Sequence, residues 1–117
     1  MSEDKPIEGK PKKAKRPQQV FTLVVEVGRG EGDGLPEDAT GAALMCYASG
    51  VDENEAVNET VAVLKQADLV PLEVQGYGSL EEREEAGEEI PDEDRELMER
   101  ARAENAVLVV QVTPFYD

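Results

Sequence analysis

Without a histidine anywhere in its sequence, the chain lacks the commonest general acid/base and the commonest transition-metal ligand. Its one cysteine, Cys46, has no second thiol to pair with and cannot build a zinc or iron–sulfur site alone. Nucleophile–histidine couples are excluded at the same stroke. Cys46 lies between Leu44 and Ala48 in an apolar run, where a thiol reads as a small buried hydrophobe. What remains for proton chemistry is a large stock of carboxylates and the hydroxyls of Tyr47 and Tyr77. Carboxylate pairs on solvated helix faces arise from composition alone. The sequence therefore points away from an enzyme, and it implies neither a metal nor a cofactor.

Two further patterns invite a ligand. Gly28, Gly30, Gly32 and Gly34 alternate, but GxGxxG fails at Asp33 and no lysine–serine or lysine–threonine pair follows. One arginine against Glu31, Asp33, Glu37 and Asp38 is the wrong sign for phosphate. Calcium suits oxygen ligands on a loop, yet the spacing matches neither an EF-hand nor a glycine-rich repeat. A mobile hairpin connection is the plainer reading. The second pattern is Tyr47 and Ser49 closing one expected strand and Tyr77 and Ser79 closing another, each just before a helix start. If those strands are parallel neighbours, the four residues flank a small-ligand site of the kind found in open α/β sheets. The surrounding acids favour a neutral or cationic ligand; the alternative is tyrosines that merely cap the sheet edge.

The elements that would position these residues follow from periodicity. VFTLVVEV from Val20 alternates, with Phe21, Leu23, Val25 and Val27 opposite Val20, Thr22, Val24 and Glu26. The glycine loop (28–41) and a second strand (43–49) follow. Asp52 with Glu55 has capping-box spacing and opens a helix carrying Ala56, Val57, Thr60, Val61, Val63, Leu64 and Ala67 as its apolar stripe, stopped by Pro71. A third strand (71–78) is expected with Leu72 and Val74 inward. Ser79 with Glu82 caps a short acidic helix ending at Gly87; Pro91 opens another that stops at Asn105; and 107–112 is the last strand. The order is β-β-α-β-α-β with the second helical region broken in two. The expected fold is an α/β (α+β) two-layer sandwich: a four-stranded mixed sheet with helices on one face, ferredoxin-like in layering only.

Charge divides the chain. Residues 1–19 hold Lys5, Lys10, Lys12, Lys13, Lys15 and Arg16 against three acids, a net +3, and almost no apolar anchor, so they are expected to form a disordered basic arm. The body from Val20, a single acidic domain, carries 6 basic and 24 acidic residues, a net −18. Such a body repels nucleic acid and anionic lipid; only the arm, through Lys12, Lys13, Lys15 and Arg16, has the chemistry for nucleic acid. The single cysteine, with no apolar leader and no apolar run of membrane-spanning length, is read as cytoplasmic and soluble.

Both sheet faces carry apolar residues, whereas a solvated face would alternate cleanly with polar ones. Val20, Val24 and Leu44 are taken as the outward apolar positions of an uncovered face. That face reads as an interface, and the competing reading is that the arm or the long loop covers it. The acidic helices, above all Glu84, Glu85, Glu88 and Glu89, form a second surface suited to a basic partner. The leading function is thus a non-enzymatic, acidic protein-interaction or regulatory module that binds a protein partner of basic character, or a second copy of itself. The alternative is a small-ligand sensor at Tyr47 and Tyr77.

Overall fold

The computed structural model describes residues 17–116, and the expectations for the arm, including Lys12, Lys13, Lys15 and Arg16, lie outside the described residues. The elements are β1 (Gln19–Gly28), β2 (Gly41–Gly50), α1 (Glu53–Gln66), β3 (Val70–Ser79), α2 (Leu80–Glu85), α3 (Asp92–Glu104) and β4 (Val107–Phe115). Class, strand number and element order are those read from the sequence. The first strand starts one residue earlier, at Gln19, whose side-chain amide donates to the Val51 carbonyl at 3.0 Å. Beside it, Gln18 Nε2 donates to Asn105 Oδ1 at 2.9 Å, tying the entry of the chain to the end of α3.

Two features of the expected architecture are corrected. The sheet runs β3-β1-β2-β4, and every neighbouring pair is antiparallel, so it is not mixed. The hairpin β1–β2 occupies the centre, and the later strands add to its two sides. β2 and β3 do run in the same direction, but β1 lies between them. The helices also do not share one face. Phe21, Leu23, Val25, Val27, Leu44 and Cys46 pack toward α1 and its Ala56 and Leu64. Val20 and Tyr47 pack on the opposite side with Leu80, Ile90, Met98 and Ala101 of the α2–α3 segment. Central strands apolar on both sides need cover on both sides, and the two crossovers supply it separately.

Helix boundaries follow from local chemistry. The Asp52 side chain accepts from the Glu55 N–H at 2.9 Å, and Glu55 reaches back to the Val51 N–H at 2.7 Å. Ser79 and Glu82 form a complete capping box at the start of α2. The stop of α1 comes before Pro71: Asp68 takes a left-handed conformation (φ 66°), and the Leu69 N–H donates to the Leu64 carbonyl, a Schellman-type ending. Asn105 (φ 52°) and Gly87 (φ 88°) end α3 and α2 in the same way. Within the expected α1 stripe Ala56, Thr60 and Leu64 are buried, while Val63 and Ala67 are exposed. β4 runs on through Pro114, which an edge strand tolerates. Leu72, expected inward, is 65% exposed, because a register shift between Glu26 and Val27 leaves it outside the β1–β3 pairing.

The β1–β2 connection is held rather than loose. Arg29 Nε donates to Asp33 Oδ2 at 2.8 Å, and its Nη1 donates to the carbonyls of Pro36 and Ala39. Asp33 also accepts the N–H groups of Gly30 and Leu35, both at 2.9 Å. The Arg29 guanidinium, joined by those two N–H groups, holds the Asp33 carboxyl well below the usual carboxylate range. The expectation of a mobile connection overlooked this side-chain scaffold, which pairs the loop's one arginine with Asp33, the second of its four acids. Gly30 belongs to the same construction, since a Cβ there would lie 2.0 Å from the Asp68 carbonyl oxygen.

Candidate functional site

The face opposite α1 is covered over only half its length. Cross-strand register sorts it into ranks. Val20 opposite Ser49 and Thr22 opposite Tyr47 lie beneath the α2–α3 segment and are buried. The next rank, Gln75–Val24–Met45–Gln111, is half-buried at its centre and exposed at both ends. Beyond it comes Glu73–Glu26–Ala43–Thr113, and Phe115 closes the surface opposite Gly41. α3 reaches this region only with its first two turns, through Glu93, Asp94 and Leu97.

Two adjoining depressions occupy the open half. One, of about 260 Å³, is lined by Val24, Glu26, Ala43, Glu73, Gln75 and Phe115. The other, of about 340 Å³, lies under the start of α3 between Met45, Leu97, Val110 and Gln111, with Glu93 and Asp94 on its rim. They neighbour each other through the cross-strand pair Val24–Met45, apolar side chains lie on the floor of each, and the charged residues lining them are all acidic. Glu26 and Glu73 stand directly opposite each other on neighbouring strands, a like-charge arrangement that costs stability. Neither makes an ion pair among the described residues. All the body's arginines are engaged elsewhere: Arg29 with Asp33, Arg83 with Glu88, Arg95 with Glu84, Arg100 with Glu104, and Arg102 with Glu81 and Glu99.

The covered half has the opposite chemistry. Arg83 Nη1 donates to Thr22 Oγ1 at 2.8 Å, and its Nε donates to Glu88 at 2.9 Å. The Tyr47 hydroxyl lies against Asp94 and Arg83. Burial pushes the phenol above its usual value; Asp94 adds to that and Arg83 opposes it. Cys46, on the α1 face, is fully buried, and burial pushes its thiol up to about 11, so it is protonated at neutral pH.

The sequence-derived residues distribute as follows. Of the outward apolar positions, Val24 sits in the open half, but Val20 is buried under α2–α3 and Leu44 is buried under α1. Alternation assigned residues to faces; it could not say which length of a face a helix would reach. Tyr47, Ser49, Tyr77 and Ser79 do fall at one end of the sheet, but they do not converge. β1 intervenes, Tyr47 and Ser49 are buried, Ser79 is spent as the α2 cap, and Tyr77 is 53% exposed with its hydroxyl on Gln75. The two helix starts expected to meet there lie on opposite faces. Of the acidic quartet, Glu84 and Glu88 are paired with Arg95 and Arg83, and Glu85 and Glu89 are exposed. Sequence reasoning missed Glu26, Glu73, Met45 and Phe115 as a group. The signal was present in part, as a lone charge, Glu26, at the end of an otherwise apolar alternation.

Among the described residues no three cysteine, aspartate or glutamate side chains come together as a metal-binding group, and no helix is long and apolar enough to cross a membrane. No curated protein and no solved structure matches the chain. A family model does match residues 20–116, almost the whole of the described domain, and the chain belongs to that family, the domain of unknown function DUF8846.

Proposed function

We propose that this domain is a non-enzymatic interaction module whose open half-face takes a basic, partly apolar segment of a protein partner. The observation that carries the reading is the combination of apolar side chains on the floor (Val24, Ala43, Met45, Val110, Phe115) with a rim whose only charged groups are carboxylates (Glu26, Glu73, Glu93, Asp94). An incoming lysine or arginine would relieve the repulsion between Glu26 and Glu73, while its apolar neighbours would cover the floor. The net charge of −18 on the body would steer basic partners toward it and make association fall with salt. The remaining exposed carboxylates of α2 and α3, beyond Glu93 and Asp94, add to that field without forming the seat.

A synthetic peptide alternating lysine with leucine tests the reading, with its glutamate–leucine counterpart as control. Fluorescence anisotropy should show the lysine peptide binding the full chain, more weakly as salt rises, and losing most of its affinity to Glu26→Gln/Glu73→Gln. Equal binding of the lysine peptide to wild type and to the double variant would overturn it.

A further inference from the structure

The proposed seat has a candidate occupant in the same chain. Sixteen residues precede the described structure, and they hold all of the chain's basic surplus: Lys5, Lys10, Lys12, Lys13, Lys15 and Arg16 against Glu3, Asp4 and Glu8. This segment joins the domain at Pro17, where Gln18 is fixed to Asn105 and Gln19 to Val51. That junction lies at the C-terminal end of α3, whose first turn forms the near rim of the open half-face.

Length permits the connection. Along β1 the Glu26 rank lies about 23 Å from Gln19, at the usual rise of a strand. The ten residues from Pro17 back to Ile7 span at most roughly 36 Å when extended. Lys12, Lys13, Lys15 and Arg16 would then run past α3, whose Glu93, Glu96 and Glu99 are exposed. Lys10, Glu8, Ile7 and Lys5 would arrive over the floor, a stretch of net charge +1 with one branched apolar side chain between its two cations. That is the complement of an apolar floor with a carboxylate rim. A segment lying on a face needs no ladder hydrogen bonds, so Pro6 and Pro11 are no obstacle there, whereas they would obstruct an added edge strand.

We infer that the basic N-terminal segment docks in cis on the open half-face, with Ile7 over Val24, Ala43 and Phe115 and with Lys5 and Lys10 on the Glu26–Glu73 pair. The inference rests on the proposed function and deepens it: the segment is an internal competitor that a basic partner must displace. Cis docking has the advantage over a second copy on two grounds. A tethered segment is present at an effective concentration in the millimolar range, whereas two copies of a chain with net charge −15 repel each other.

The test uses the full chain and a full-length variant, Lys5→Gln/Ile7→Ser/Lys10→Gln, which alters no residue of the folded body. In amide NMR spectra the variant should differ from wild type at Val24, Glu26, Ala43 and Glu73, and the differences should collapse in molar salt and be independent of protein concentration. The lysine–leucine peptide should bind the variant roughly tenfold more tightly than wild type. Amide differences confined to α3, differences that grow with protein concentration, or no differences at all would overturn cis docking. Peptide binding equal in the two chains would also overturn it while leaving the proposed function standing. If the peptide binds neither chain, the proposed function itself fails.

Discussion

The Val20 end and the Val24 end of one sheet face are built from the same strands, yet they differ in cover and in charge. At the Val20 end the α2–α3 segment seals the face with Leu80, Ile90, Met98 and Ala101, and the charges that approach it are paired through Arg83. At the Val24 end the same strands stay paired, but the floor is half-buried and the carboxylates meet no arginine among the described residues. Acidic composition therefore means two things in one molecule. Around α2 and α3 five acids, Glu81, Glu84, Glu88, Glu99 and Glu104, are paired with arginines, and each exposed bridge contributes little. On the open half-face it is an unneutralised rim around apolar surface, which costs stability and is explained if something basic comes to it.

The largest expected effect lies in the covered half. Met98→Ala removes a fully buried side chain and should destabilise the domain by about 2–5 kcal/mol in chemical denaturation. Val24→Ala, one rank beyond the helices, should cost below about 1 kcal/mol. Equal costs would mean that the two halves are equally covered and would break the comparison.

Removal of the α2 cap by Ser79→Ala should cost about 0.5–2 kcal/mol, because the Glu82 N–H loses its acceptor in a buried setting. This loss should leave affinity for the lysine–leucine peptide unchanged at temperatures where the domain is folded. A parallel loss of affinity would mean that α2 forms part of the seat.

A smaller effect of opposite sign is expected in the open half. Glu73→Lys converts a like-charge cross-strand pair into an opposite one, so the thermal midpoint should rise by the equivalent of about 0.2–1 kcal/mol. Affinity for the basic peptide should fall in the same variant. Stability gained as binding is lost would mark a surface kept for contact; a destabilised variant would show that Glu73 serves the fold.

The smallest effect concerns the β1–β2 loop. The Asp33 carboxyl is held below its ordinary value by Arg29 and by the Gly30 and Leu35 N–H groups. Its folded-state value is depressed, so its contribution is fully present above the unfolded value, about 3.9, and is lost as pH falls below that toward the lower folded value. Asp33→Asn should therefore flatten the acid limb of a stability-versus-pH curve below about pH 4 and leave its alkaline limb unchanged. An identical acid limb in the variant would remove Asp33 as a support of that loop.

Much of this was legible locally. The β1 alternation, the Asp52–Glu55 and Ser79–Glu82 spacings, and the stops at Gly87 and Asn105 each depend on interactions within a few residues, and each stands in the structure. The stop of α1 was obscured because Asp68, and not a glycine, takes the left-handed position. The loop was misread because glycine content suggests freedom, while the Arg29–Asp33 scaffold depends on a side chain folding back over seven to ten residues.

By itself the sequence determined the class of fold, the element order, the want of histidine and thiol chemistry, and the division into basic arm and acidic body, because these are properties of composition and short-range geometry. Only the tertiary structure decided that β1 separates β2 from β3, that the helices fall on opposite faces, and that α2–α3 stops short of Val24. Strand order and helix placement are set by which crossover buries which face, a competition among contacts far apart in the chain that periodicity does not encode. The pairing of Glu26 with Glu73 arises from that competition, and with it the surface on which the proposed function rests.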